Sequence, residues 1–126
     1  MITEEKQLLL KDLCARLPYN VVIRCTDNDT DYKCFLTTDI LNELLHNIKY
    51  YDYKPYLRPM SSMTEEEYKE LKSISSYYGF APYEYISDWC PNYEMIDWLL
   101  KHHFDFRGLI EKCLALEAPK GMYKNE

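Results

Sequence analysis

YYDYKPYLRPMSSMTEEE, residues 50–67, is the stretch on which the reading of the fold turns. Lys54 and Arg58 each precede a proline, and the proline ring pushes the residue before it out of the helical region. Tyr50 to Arg58 is therefore extended, as an arm or an edge strand. PMSSM is a stiff lead-in to a helix start. There the Thr64 hydroxyl can accept the Glu67 backbone N–H while the Glu67 carboxylate reaches back, a capping box with Met63 and Tyr68 placed as its hydrophobic staple. The helix continues through Leu71, Ile74, Ser75 and Tyr78, and Gly79 is placed to stop it.

Upstream, residues 20–36 alternate as a β-hairpin. Val21, Ile23 and Cys25 share one face of the first strand, and Tyr32, Cys34 and Leu36 share one face of the second. Asp27, Asn28 and Asp29 supply turn chemistry between them. A two-stranded hairpin is marginal alone, so it must pack on helices or take a third strand from the region 51–57. Before it, residues 3–17 read as an amphipathic helix with Leu9, Leu10, Leu13, Cys14 and Leu17 on its stripe, halted by Pro18. After it, Thr37 or Thr38 caps a second helix burying Leu41, Leu44, Leu45 and Ile48.

Downstream, residues 80–90 are aromatic and irregular. A fourth helix opens at Pro91 or Asn92 and buries Met95, Ile96, Leu99, Leu100 and His103. Asp105 is expected to cap a fifth, carrying Leu109, Ile110, Cys113 and Leu114. The tail from about residue 119 is polar and expected to fray. Strands segregated from helices define an α+β class: one globular domain spanning 1–126, about five helices packed on a β-hairpin or small antiparallel sheet.

Composition narrows the function. The chain has 126 residues, 13 tyrosines and only 3 glycines, which argues against a glycine-rich phosphate loop. A net charge of -6 disfavours an extended duplex nucleic acid as partner. Five cysteines without metal-ligand spacing fit a reducing compartment, although Cys25 and Cys34 could face each other across the hairpin. No apolar run approaches the about 18 residues of a membrane span, and the acidic, polar start does not resemble a secretory leader. The expected setting is cytoplasmic, away from membranes.

Catalytic and metal chemistry find no pattern. His102 and His103 are adjacent and point about 100° apart on a helix, and His46 is remote in sequence. Ser61 and Ser62 precede a helix cap and lack a nucleophile elbow. Glu65, Glu66 and Glu67 suit the positive end of a helix and have no apolar surroundings to raise their pKa. No enzyme activity, cofactor or metal is assigned.

What remains is Tyr50, Tyr51, Tyr53, Lys54, Tyr56 and Arg58. Tyrosine and arginine are the residues of protein–protein hot spots. Rings interleaved with cations, Lys49 included, also suit single-stranded nucleic acid. Equally, several of the tyrosines could seal the core beneath a crossing segment. A second aromatic cluster, Tyr77 to Trp89, has no basic residue near it and fits core or protein contact. The function assigned is a non-enzymatic accessory or regulatory domain that contacts another protein through this segment, the alternative being a single-strand binder using residues 49–58.

The strings LLLKDLCARLPY (8–19), KPYLRPMSSMTEEE (54–67) and IDWLLKHHFDFRGLIEKCLALEAPKGMY (96–123) resemble a group of small uncharacterised proteins of gut Bacteroidales bacteria and their prophages or mobile elements. The resemblance implies a bacterial cytoplasmic setting and a mobile-element origin. It brings no activity and no site residue.

Overall fold

The computed structural model describes residues 3–46, 51–74 and 93–123. Its elements run α1 (Thr3–Arg16), β1 (Val22–Thr26), β2 (Asp31–Phe35), α2 (Thr38–Leu45), β3 (Asp52–Pro59), α3 (Glu65–Ile74), α4 (Tyr93–Lys101), β4 (Phe104–Asp105) and β5 (Leu116–Glu117). The class is α+β, with four α-helices among the described residues rather than about five, and one five-stranded sheet ordered β2-β1-β3-β4 with β5 also on β3.

The tyrosine segment is the spine of that sheet. β3 is an interior strand, not an arm or an edge. Its first half pairs antiparallel with β1, from Thr26↔Asp52 to Ile23↔Pro55. Pro55 has no N–H to donate, and the ladder with β1 stops there. The second half pairs parallel with β5 at Tyr56↔Leu116 and with β4 at Arg58↔Phe104. Within one peptide unit, the Leu57 carbonyl accepts from Ala118 N (2.8 Å) while Arg58 N donates to the His103 carbonyl (2.7 Å). The two groups of a peptide point opposite ways, so β4 and β5 flank β3 on opposite sides. Burial follows the pairing. Residues 52–55 alternate between exposed or half-buried and buried, and Tyr56 to Arg58 are buried throughout.

β3 gives Tyr53 and Leu57 to one of two core clusters and runs directly into Met60 of the other. One gathers Leu9 and Leu13 of α1, Ile23 and Cys25 of β1, Ile40 of α2 and Leu57. The other gathers Met60, Leu71, Met95, Trp98, Leu99 and Phe104 beneath α3 and α4. A fully buried leucine contributes about 1.5–3 kcal/mol, so these clusters supply the main driving force.

Several expectations change. The buried face of α1 is Leu9, Asp12, Leu13 and Arg16, with Cys14 exposed and Leu10 half-buried. In α2, capped by Thr37 through Ile40 N, Ile40 is buried and Leu45 is 60% exposed. Ile48, Tyr78, Gly79, the aromatic run 80–90 and the start at Pro91 or Asn92 lie outside the described residues. The expected fifth helix is a succession of turns. Asp105 does cap it, accepting from Leu109 N and Ile110 N at 2.9 Å each. The backbone then enters the left-handed region at Gly108 (φ 74°) and Cys113 (φ 61°), which no α-helix tolerates. From Pro119 to Tyr123 the chain is anchored rather than frayed. Tyr123 is buried, and its hydroxyl donates to the Tyr56 carbonyl (2.6 Å) and accepts from Val22 N (3.0 Å).

Candidate interaction surface

The structure separates the tyrosine segment into three environments. Arg58 is interior. Its Nη1 and Nη2 donate to the two Glu67 carboxylate oxygens at 2.7 Å each, and its guanidinium lies 4.2 Å above the Phe104 ring. Glu67 simultaneously closes the capping box: Oε1 accepts from Thr64 N (3.0 Å), and Glu67 N donates to Thr64 Oγ1 (3.1 Å). Burial pushes this carboxyl up, but the hydrogen bonds from Arg58 and Thr64 and the charge of Arg58 hold it below its ordinary value.

Tyr53 and Tyr56 are also buried, at 6% and 9% exposure. The Tyr53 hydroxyl donates to Glu43 Oε2 of α2 at 2.6 Å, and burial, reinforced by that carboxylate, pushes the phenol up. The Tyr56 ring lies 5.3 Å from the Lys33 ammonium. Burial removes Tyr53, Tyr56 and Arg58 from any surface the folded chain presents. Tyr51 and Lys54 are half-buried, and Tyr50 lies outside the described residues.

The surface lies one strand further out. Tyr32 (44%), Phe35 (59%) and Leu45 (60%) are the exposed large hydrophobic side chains among the described residues, and the first two are on β2. Register places Tyr32 opposite Cys25 and Phe35 opposite Val22, hence on opposite faces of the sheet. The Tyr51 ring meets the Tyr32 ring edge-on at 5.5 Å, so Tyr51 joins this surface beside β3. The other face carries a row of cations across three strands, Lys33–Arg24–Lys54, beside a row formed by Asp31, Thr26 and Asp52. Arg24 and Asp31 are paired at 3.0 and 2.9 Å. Arginine and aspartate at this separation neutralise each other, so the open face is a patchwork rather than a basic field.

Among the described residues β2 is an edge strand. Leu36 N bonds to the Val21 carbonyl, which makes residues 32, 34 and 36 the ones whose backbone groups face β1. By the two-residue period of a strand, the N–H and C=O of Asp31, Lys33 and Phe35 point away from the sheet. Such a row is a template for another strand.

Two interior features escaped the sequence reading. Asp12 and Arg16, both fully buried, bond at 2.6 and 3.2 Å; Arg16 Nη2 also reaches the Phe104 carbonyl (2.6 Å) and Arg107 Nε reaches Asp12 (3.1 Å). The signal was present: Leu9, Asp12, Leu13 and Arg16 occupy i, i+3, i+4 and i+7, the buried spacing itself. His103, on a left-handed backbone (φ 65°), stacks on Tyr123 with ring centroids 3.7 Å apart, and burial above all pulls its pKa down to about 4. His102 is lowered too, by burial first.

In the hairpin, Cys25 Sγ and Cys34 Sγ stand 3.3 Å apart as free thiols. Burial and then the hydrogen bond to Cys34 push the Cys25 thiol up to about 12. A cleft of about 280 Å³, lined by Glu5, Asp52, Tyr53, Lys54, Lys112 and Cys113 among others, opens beside the first half of β3. Among the described residues no set of three His, Cys, Asp or Glu side chains could hold a metal ion, and no helix is long and apolar enough to cross a membrane. Comparison of the chain with protein-family models, curated proteins and solved structures returned no match.

Proposed function

We propose that this chain is a non-enzymatic accessory or regulatory domain that contacts another protein chain, and that its contact surface is the outer hairpin strand with Tyr32, Phe35 and Tyr51. The observation that supports this best is the coincidence on β2 of unpaired edge groups with two of the three exposed large hydrophobic side chains among the described residues. Strand edges in monomeric proteins are ordinarily short, charged or covered. This one is short and carries Lys33, yet presents two aromatic rings. A bacterial host and a mobile-element origin rest on the resemblance of the three quoted strings alone, and a cytoplasmic setting rests on it together with the scattered cysteines.

A photo-crosslinking residue placed at Phe35, in cells, tests the reading. It should give a discrete adduct that is missing when the same residue replaces Lys11, which is exposed on α1. Equal or absent adducts at both positions would refute a contact surface on β2. A second reading, single-stranded nucleic acid, draws on the Lys33–Arg24–Lys54 row beside Phe35. Phosphate contacts weaken steeply with salt, so titrating a labelled oligonucleotide at two salt concentrations decides it. Absence of binding at low salt would remove it.

A further inference from the structure

The edge of β2 is complementary to itself in one register, and we propose that its occupant is a second copy of this chain, joined β2 to β2 about a twofold axis. This rests on the reading of β2 as the contact surface and names the partner.

Only residues whose backbone groups face outward can exchange hydrogen bonds, so an added antiparallel strand must pair odd-numbered positions of β2 with odd-numbered positions of its partner. That leaves a short series of registers. Pairing Asp31 with Asp31 or Lys33 with Lys33 sets like charges face to face, which is destabilising. Centring the axis on Cys34 or on Phe35 leaves Asp31 without a cation across the seam, where only Arg24 of its own copy neutralises it. Centring it on Tyr32 places each Lys33 opposite the Asp31 of the other copy, twice. Both are exposed, with Asp31 at 59% of its side chain.

On the opposite face the same register brings Tyr32 against its symmetry mate, and each Tyr32 already carries Tyr51 edge-on at 5.5 Å. Four tyrosine rings then cover one face of the seam and two ion pairs the other. The arrangement closes on itself, since each edge is used once.

Sedimentation over a concentration series reaching about 1 mM, the range a small interface demands, tests this. The native chain should pass from monomer to dimer. Lys33→Glu sets a carboxylate against Asp31 of the other copy and should weaken the dimer about tenfold or more. Its fold is protected, because the introduced glutamate then faces Arg24 within the hairpin. Asp31→Lys should likewise stay monomeric. An equimolar mixture of the two variants should dimerise, because the introduced lysine meets the introduced glutamate and the remaining Lys33 meets the remaining Asp31. If Asp31→Lys fails to fold, the double variant D31K/K33E restores both intermolecular pairs and should dimerise. A native chain that stays monomeric, or a Lys33→Glu chain that dimerises as the native one does, overturns the proposal. A monomeric native chain with a Phe35 adduct to a different protein would remove the second copy and leave the contact surface standing.

Discussion

Arg58 and Glu67 face each other fork to fork inside the protein, two nitrogens on two oxygens at 2.7 Å, and so tie the end of the central strand to the first turn of α3. Both are nearly inaccessible, with side chains exposed by 3% and 9%. Strand and helix are thereby joined beside Phe104 of the second core cluster.

Replacing Glu67 by Gln keeps its shape but leaves Arg58 charged and buried. Removing one partner of a buried pair costs about 3–5 kcal/mol, against about 0–1 for an exposed pair. Urea unfolding should show the larger figure. A loss at the exposed-pair level would mean that Arg58 finds water or another acceptor.

Asp12→Ala should be comparably damaging, since it strands Arg16, which is fully buried, and frees Arg107. The change to measure is again the urea midpoint, beside Asp31→Ala as an exposed control, which should move it little.

Acid should weaken the fold in two separable steps. His103 is neutral in the folded protein down to about pH 4, whereas the unfolded chain protonates near its ordinary 6.5. The unfolded state takes up the proton first, so stability falls as pH drops from about 6.5 towards about 4. His102, lowered in the same sense, adds to that step. Glu67 acts lower. Its stabilisation is complete above its unfolded pKa and is lost as pH falls through its depressed folded value. His103→Asn, which tolerates the left-handed backbone, should flatten the upper step and spare the lower one. An unchanged slope between pH 6.5 and 4 would contradict the burial assigned to His103.

The hairpin thiols should oxidise with each other. Oxidised glutathione would accept the two hydrogens of Cys25 and Cys34 and leave as two glutathione molecules, and the sulfurs need only close from 3.3 Å to about 2.05 Å. Cys25 is held protonated by burial, so the reaction should be slow. Peptide mapping should find the Cys25–Cys34 crosslink. Glutathione adducts confined to the exposed Cys14 and Cys113 would count against it.

What was legible in the sequence was local. The Thr64–Glu67 box, the alternation of Val21, Ile23 and Cys25, and the stop at Pro18 each depend on neighbours a few residues away, and each is present. The interior place of β3 was hidden by Pro55 and Pro59, which mark edge strands. Here Pro55 marks the point where the strand changes partner. Arg58 looked like a surface cation because its carboxylate is supplied by a capping residue already assigned a role. Asp12 and Arg16 share the buried spacing of Leu9 and Leu13, but their partners Phe104 and Arg107 lie about ninety residues away and only the fold brings them there. The turns replacing a fifth helix depend on left-handed backbone at Cys113, a residue with no preference for it.

The most direct test of the β2-to-β2 pairing is amide hydrogen exchange at Asp31, Lys33 and Phe35 as a function of protein concentration. Among the described residues these N–H groups have no partner strand within one copy, unlike those of Tyr32 and Cys34, which face β1. Pairing about Tyr32 predicts fast exchange at all three outward positions in dilute solution and protection that grows with concentration at Asp31 and Lys33, with Phe35, which falls opposite the turn of the other copy, staying fast. Exchange at Asp31 and Lys33 that is equally fast at every concentration would contradict it.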